Sequence, residues 1–250
     1  MALNYNKSTR RHKMLRIENV TKSYDGKRKA IDAINLTIQP GEIYGFIGHN
    51  GAGKTTLLKS IAGILNFDEG EIFIHDYSIK KQPLQAKKLM AYIPDNPDIY
   101  ESLTARQYLD FIADIFNIDL DQRNRLIEEY ASMFEMTERL NDPISSFSHG
   151  MKQKTVIMGA LIHQPKVLLL DEPFVGLDPK ASFLLKEVFH KLCEKGSLIF
   201  FSTHVLEVAE KLCDKVAIIK NGEIVTNGET KTIIEDESLE NIFMELLKES

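Results

Sequence analysis

Along the chain, short apolar segments rich in β-branched and aromatic residues alternate with segments whose apolar positions recur at helical spacing. The first kind predicts strands over residues 15–20, 30–38, 42–47, 71–74, 90–93, 167–171, 197–202, 215–219 and 223–226. Most of them stop at Gly, Pro or Asp, which end strands for steric or hydrogen-bonding reasons. This alternation is the pattern of an α/β layer fold with a largely parallel sheet. The early strands read as antiparallel. So does the last pair, joined by Lys220-Asn221-Gly222, because Asn-Gly is the strongest short hairpin signal. The expectation is a small antiparallel sheet beside a buried parallel one.

From residue 104 to about 163 the character changes. No β-rich run occurs, and Tyr108, Phe111, Ile112, Ile115 and Phe116 recur at helical spacing. This reads as a helical insertion, broken by Asp142-Pro143 and closed by Gln164-Pro165. The tail predicts two short amphipathic helices, over 230–234 and 239–247. Residues 1–13 carry Lys7, Arg10, Arg11 and Lys13 and no acid, with no hydrophobic period, and are expected to form a disordered basic arm or a leader. Met14 opens the first patterned segment.

Composition narrows the class. At 250 residues, 43 % hydrophobic and 27 % charged, the chain can bury the core of one large domain or two small ones. The longest nearly unbroken apolar run, Val156 to Ile162, has 7 residues against the roughly 18 a bilayer span needs. A net charge of −5 argues against a nonspecific grip on nucleic acid. Cys193 and Cys213 show no ligand spacing and read as reduced thiols.

Two motifs carry chemistry. Gly48-His49-Asn50-Gly51-Ala52-Gly53-Lys54-Thr55 matches GxxxxGK[ST] between an apolar strand and a helix-like segment over 56–65. Such a loop turns consecutive backbone N–H groups, here of Gly48, Asn50, Gly51, Ala52 and Gly53 and on to Thr56, toward a polyphosphate at the positive end of a helix. Lys54 supplies a point charge to the β and γ phosphates, and Thr55 a hydroxyl ligand for Mg2+. The second motif is the apolar strand 167–170 followed by Asp171 and Glu172. An apolar strand delivers acids at its carboxyl end, where open α/β sheets bind ligands. Asp171 is the candidate magnesium residue and Glu172 the candidate base for an attacking water.

With Tyr24 ahead of the loop, Ser148-His149-Gly150-Met151-Lys152-Gln153 opening a helix, Gly176-Leu177-Asp178 after the acid pair and Ser202-Thr203-His204 ending a strand, the chain resembles the ATP-binding subunits of ABC transporters. The resemblance runs from about residue 14 to 228. It implies a P-loop NTPase core with a mostly parallel sheet, a small antiparallel β subdomain and a helical insertion subdomain at about 97–163, followed by short C-terminal helices over 229–250. It also implies an ATPase that binds ATP and Mg2+, pairs head to tail with a second ATP-binding subunit, alike or unlike, and drives a separate integral membrane permease from the cytoplasmic face.

Position by position, Tyr24 corresponds to the aromatic that stacks on adenine; alone, a Tyr near a strand is more often packing. Ser148 and Gly150 correspond to the signature that caps the other subunit's nucleotide, although Ser148 is equally an N-cap. Asp178 corresponds to the acid that touches the partner, and is also the N-cap expected before Pro179. His204 corresponds to the histidine that senses the γ phosphate. His49 sits at a position the motif leaves free. The family usually has Gln where Asp95 stands, contacting magnesium; aspartate is one methylene shorter and adds charge. His149 replaces a usual Gly, and Met151 a common Gln. The spelling of 93–95, 100–104 and 148–154 resembles the bacterial branch serving ABC-2 type exporters. Coupling to a permease is expected near residues 95–103, with Tyr100 receiving a helix. Two other readings stay open: a soluble ABC-type ATPase in a process such as cluster assembly, translation control or DNA repair, and a noncatalytic nucleotide sensor, which the changes at 95, 149 and 151 would favour.

Overall fold

Alternate residues of the central strands face two different cores, and this decides the layering. In the strand β3 (Ile43–Ile47), Ile43 and Ile47 join one buried cluster while Tyr44 and Phe46 join another. A strand buried on both faces has no polar side, so its sequence is a continuous apolar run. The computed structural model of the protein describes residues 13–96, 99–235 and 237–248. The basic arm expected at residues 1–13 therefore lies, apart from Lys13, outside the described residues.

The chain begins with β1 (Leu15–Ser23) and β2 (Lys29–Ile38), an antiparallel pair. After β3 come the helix α1 (Lys54–Ile61), β4 (Glu69–Ile74), the two-residue β5 (Tyr77–Ser78), α2 (Pro83–Lys88) and β6 (Met90–Ile93). A helical region follows: α3 (Ala105–Ile115), α4 (Leu120–Met133) and α5 (His149–Ile162). The remainder runs β7 (Val167–Asp171), α6 (Pro179–Glu194), β8 (Leu198–Thr203), α7 (Leu206–Leu212), β9 (Lys215–Lys220), β10 (Glu223–Glu229), α8 (Thr230–Ile234) and α9 (Leu239–Lys248).

Two sheets result. One is antiparallel, in the order β2-β1-β4-β5; the other has the order β10-β9-β3-β8-β7-β6 and is parallel except for β10. The α1 residues Leu57, Leu58 and Ile61 fill the space between the sheets with Leu15, Ile17, Ile31 and Ile72 on one side and Phe46, Leu169 and Phe200 on the other. The opposite face of the large sheet packs on the helical region and α6, through Leu109, Ile127, Phe134, Ile157, Leu161, Leu185 and Phe189. Side-chain caps start the helices of that layer. Thr104 and Gln107 form a reciprocal capping box on α3, Asp119 caps α4, Ser148 caps α5 and Asp178 caps α6.

Three departures from the sequence expectations have local causes. The helix expected over 56–65 starts at Lys54, because Gly53 at its N-cap takes φ 113° and turns the chain directly into the first turn; it stops at Ile61, ahead of Gly63 in the left-handed region at φ 63°. The hairpin β9–β10 is antiparallel, but it extends the parallel sheet through β9 and β3 rather than joining the small antiparallel one. β5 and α2 carry no readable period, being two and six residues long. Among the described residues, no helix is long and apolar enough to cross a membrane.

Candidate active site

The carboxyl ends of four neighbouring parallel strands, β3, β8, β7 and β6, deliver the chemistry-bearing residues to one edge of the sheet. From β3 the chain enters the glycine-rich loop and then α1. Gly53 has a backbone that L side chains rarely adopt, and a Cβ there would lie 2.4 Å from the Ala30 carbonyl oxygen. The loop is held from behind by the β9–β10 turn, since Gly222 N donates to Ala52 O at 3.0 Å.

Lys54, at the first position of α1 and only 6 % exposed, folds back over this loop. Its Nζ donates to Gly48 O at 2.6 Å and His49 O at 3.3 Å, and stands 3.5 Å from Glu172 Oε1. The ammonium is thus ringed by carbonyls and one carboxylate, a set of contacts that phosphate oxygens can replace one for one.

Asp171 ends β7 and is 2 % exposed. Its Oδ1 accepts from the buried Ser202 hydroxyl, whereas its Oδ2 is buried without a hydrogen-bond partner. Glu172 follows in the left-handed region at φ 49°, which for a non-glycine residue costs roughly 1–3 kcal/mol and persists only where neighbours over-determine it. They do so here: Glu172 N donates to both Ser202 O (3.2 Å) and Ser202 Oγ (3.1 Å), and Glu172 O accepts from Val175 N at 3.1 Å. The Glu172 Oε2 then receives His204, whose Nδ1 lies at 2.9 Å and backbone N at 3.3 Å. One carboxylate is therefore aimed between Lys54 and His204.

These groups line a cavity of about 360 Å3 with Tyr24, Ala30, His49, Asn50, Gly51, Gly53, Thr55, Thr56 and Asp95. Tyr24 is 66 % exposed at its rim, with its hydroxyl 3.2 Å from Thr56 Oγ1. Gly48 and Ala52 build the loop without lining the cavity, and His204 reaches it through Glu172. Ser148, Gly150 and Asp178 stand apart from it. Ser148 Oγ accepts from Met151 N at 3.3 Å, Asp178 Oδ1 accepts from Ala181 N at 2.8 Å, and that amide is the main reason the Asp178 carboxyl is held below its ordinary pKa.

Magnesium fits the donor set: Asp171 Oδ2 is a buried carboxylate oxygen with nothing to accept from, and the Thr55 hydroxyl and Asp95 open on the same cavity. Mg2+ takes one or two carboxylates and completes its shell with phosphates and waters rather than a protein cage. Three participants escape sequence reasoning. Ser202 looks like an ordinary strand-end hydroxyl, Ala30 lines the cavity from a distant strand, and Tyr92, on β6, has a buried hydroxyl without a partner whose pKa is raised by burial and by Asp171 and Asp95.

A phosphate loop at the head of a helix, a buried strand-end carboxylate and an adjacent strained acid define a nucleotide-hydrolysing P-loop protein. The chain belongs to the ABC transporter family, whose model matches residues 31–175. It is 36 % identical over 219 residues to the linearmycin resistance ATP-binding protein LnrL of Bacillus subtilis, covering 88 % of this chain and 70 % of that protein. It is 32 % identical over 220 residues to the Nod factor export ATP-binding protein I of Burkholderia thailandensis, covering 88 % and 72 %. A solved ATP binding subunit of an ABC transporter superposes with a TM-score of 0.89 at 32 % identity, covering 94 % of this chain and 99 % of that one. The protein is an ATP-binding ATPase of this family.

Proposed function

We propose that the chain binds Mg-ATP in this cavity, pairs head to tail with a second ATP-binding subunit, and couples hydrolysis to a separate integral membrane permease, as an exporter. The observation that carries the catalytic part is the placement of Glu172, whose two carboxylate oxygens face Lys54 at 3.5 Å and His204 at 2.9 Å. Thr55, Asp171 and Asp95 would hold the metal, which when bound offsets charge on the β and γ phosphates. Lys54 binds the phosphates, Glu172 takes up a proton from the attacking water, and His204 orients Glu172 and meets the γ phosphate. Tyr24, exposed at the rim, offers its ring to adenine.

Head-to-tail pairing is supported by where Ser148, Gly150 and Asp178 stand. They are outside their own cavity, on the first turn of α5 and just before α6, free to meet a nucleotide held by another subunit. In this reading residues 14–228 form the ATPase domain with the helical subdomain at about 97–163, residues 229–250 add short helices, and the protein sits on the cytoplasmic face of the membrane through its permease. Export is supported by the motif spelling and by likeness to a relative named for export. Tyr100 is 60 % exposed and packs edge-on against Phe111, with ring centroids 5.8 Å apart, a surface suited to a permease helix. Tyr100→Ala is expected to keep ATPase activity in the isolated subunit and lose transport; intact transport overturns that docking.

The deciding experiment compares magnesium-dependent ATP hydrolysis of the wild type with Glu172→Gln, and follows the variant by size-exclusion chromatography with and without ATP. Full turnover in the wild type, only a small residual rate in the variant and an ATP-induced dimer of the variant are the expected results. Equal turnover in both would remove Glu172 from the mechanism.

A further inference from the structure

Gln153 is a fully buried polar side chain with no part in the proposed binding or hydrolysis of ATP. It lies on α5, five residues after the Ser148 cap. Its Nε2 donates to Pro173 O at 3.0 Å, and its Oε1 is buried with no partner. A buried amide that leaves one end unsatisfied is a poor stabiliser, so what it holds is the point of interest. Pro173 is the residue directly after Glu172, and Glu172 is the left-handed, strained acid of the site. A second contact joins the same two segments. The His149 ring lies on Gly176, so close that a Cβ there would be 2.8 Å from His149 Cδ2.

We infer that Gln153 is a positioning residue for Glu172: its hydrogen bond to Pro173 O, with His149 on Gly176 beside it, ties the first turns of α5 to the 173–176 turn and sets where the Glu172 carboxylate points. The inference rests on the proposed role of Glu172. It gives His149 a packing reason at a place where the family usually has Gly. It also places Ser148, the N-cap directly before His149, at one end of a connection that runs to this subunit's own Glu172.

Gln153→Met removes the donor and the orphan acceptor at nearly constant volume. The expected result is a kcat lower by about tenfold to a hundredfold, the penalty of a slightly misplaced catalytic group, with the Kd for Mg-ADP measured by calorimetry within about twofold of wild type. In a Glu172→Gln background the same substitution should change the residual rate no further, because residues acting through one group are not additive. An unchanged kcat, or an equal further loss in the Glu172→Gln background, overturns the inference.

Should Gln153→Met melt well below wild type, the decision passes to Gln153→Glu. A protonated glutamic acid can donate to Pro173 O and an ionised one cannot, and burial keeps the acid form populated toward neutral pH. The kcat of Gln153→Glu relative to wild type should then rise from about pH 8 to about pH 6. The charged and titratable groups of the facing segments, His149, Lys152 and Lys154 on α5 and Glu172 and Asp178 opposite, are common to both proteins, so what the ratio reports is the introduced carboxyl and its interaction with them. A ratio flat with pH overturns the inference. A wild type without turnover would instead defeat the reading of the site itself, a result the Glu172→Gln comparison reveals separately.

Discussion

Replacing Ser202 with alanine takes one hydroxyl from the floor of the site, and its cost can be worked out bond by bond. The Ser202 Oγ is fully buried, donates to Asp171 Oδ1 and accepts from Glu172 N at 3.1 Å. The first bond has a charged acceptor and is worth about 1.5–3 kcal/mol. The second adds about 0.5 kcal/mol or less, because Glu172 N keeps its other acceptor, Ser202 O at 3.2 Å, which alanine retains. Since Asp171 is 2 % exposed and its Oδ2 already lacks a partner, solvent does not screen the loss. The sum is about 1.5–3.5 kcal/mol, which for a chain of this length lowers Tm by about 3–14 °C. Ser197 is the internal control. It is also a buried serine, but its Oγ donates to a neutral acceptor, Pro165 O at 2.9 Å, so Ser197→Ala should cost about 1 kcal/mol. Urea unfolding of both variants in a metal-free buffer gives the comparison. A Ser202→Ala loss no greater than that of Ser197→Ala refutes the argument that a charged, buried acceptor dominates this site.

Gly53→Ala should abolish nucleotide binding by calorimetry, because the new Cβ meets Ala30 O at 2.4 Å and Ile31 Cγ2 at 2.9 Å, whereas Gly51→Ala, with nothing within 4 Å, bears only about 1–2 kcal/mol of backbone strain and should bind about fivefold to thirtyfold more weakly than wild type at most. Tyr24→Ala should weaken Mg-ADP binding by about threefold to tenfold at unchanged Tm, as expected for an exposed ring that contributes only a stacking face; a large fall in Tm would show that Tyr24 is packing instead. The His163 imidazole, stacked 3.7 Å from the Phe116 ring and 3.1 Å from Met90 O, has its pKa pulled down to about 4 by burial. The unfolded chain therefore binds a proton near its ordinary value of 6.5 that the folded chain refuses until about pH 4, so this contribution is complete above 6.5 and is lost as pH falls between the two. Urea unfolding at pH 7 and pH 5 should show His163→Gln losing less stability on acidification than wild type, by about 1–2 kcal/mol; identical slopes refute it.

What could be read from the sequence is what is local along the chain. The phosphate loop is contiguous, and Asp171 and Glu172 announce themselves because four apolar residues precede them. The capping residues Ser148 and Asp178 were readable for the same reason, each acting within three positions. The destination of the β9–β10 hairpin was not readable. Asn221-Gly222 specifies the turn, but the pairing of β9 with β3 joins residues such as Tyr44 and Lys215, and only that pairing puts Gly222 against the loop at Ala52. Ser202 and Gln153 were hidden for another reason. A serine at a strand end and a glutamine on a helix are unremarkable until both prove fully buried beside charged or strained backbone. The helical region α3–α5, likewise, is visible from its period, whereas α2 and β5 are shorter than any period can register.

The strand order itself explains why these hidden residues belong to the site. The loop comes from β3 and the acids from β7, yet the two strands are not neighbours, because β8 lies between them. Adjacent strands sit about 4.8 Å apart, so loop and acids start about 10 Å from each other, room enough for a phosphate but too far for direct contact between short side chains. Lys54 spans the gap because it is long, arriving 3.5 Å from Glu172. What fixes the far side of the gap must then come from the intervening strand, and it does: β8 and the residue after it contribute Ser202 under Asp171 and the Glu172 backbone, and His204 against the Glu172 carboxylate. Parallel pairing sets Asp171 beside Ser202 in register, which is why one hydroxyl serves both acids. Changes at the end of β8 should therefore act on turnover through the geometry of the acids, and changes in its apolar middle, such as Phe200, through stability alone.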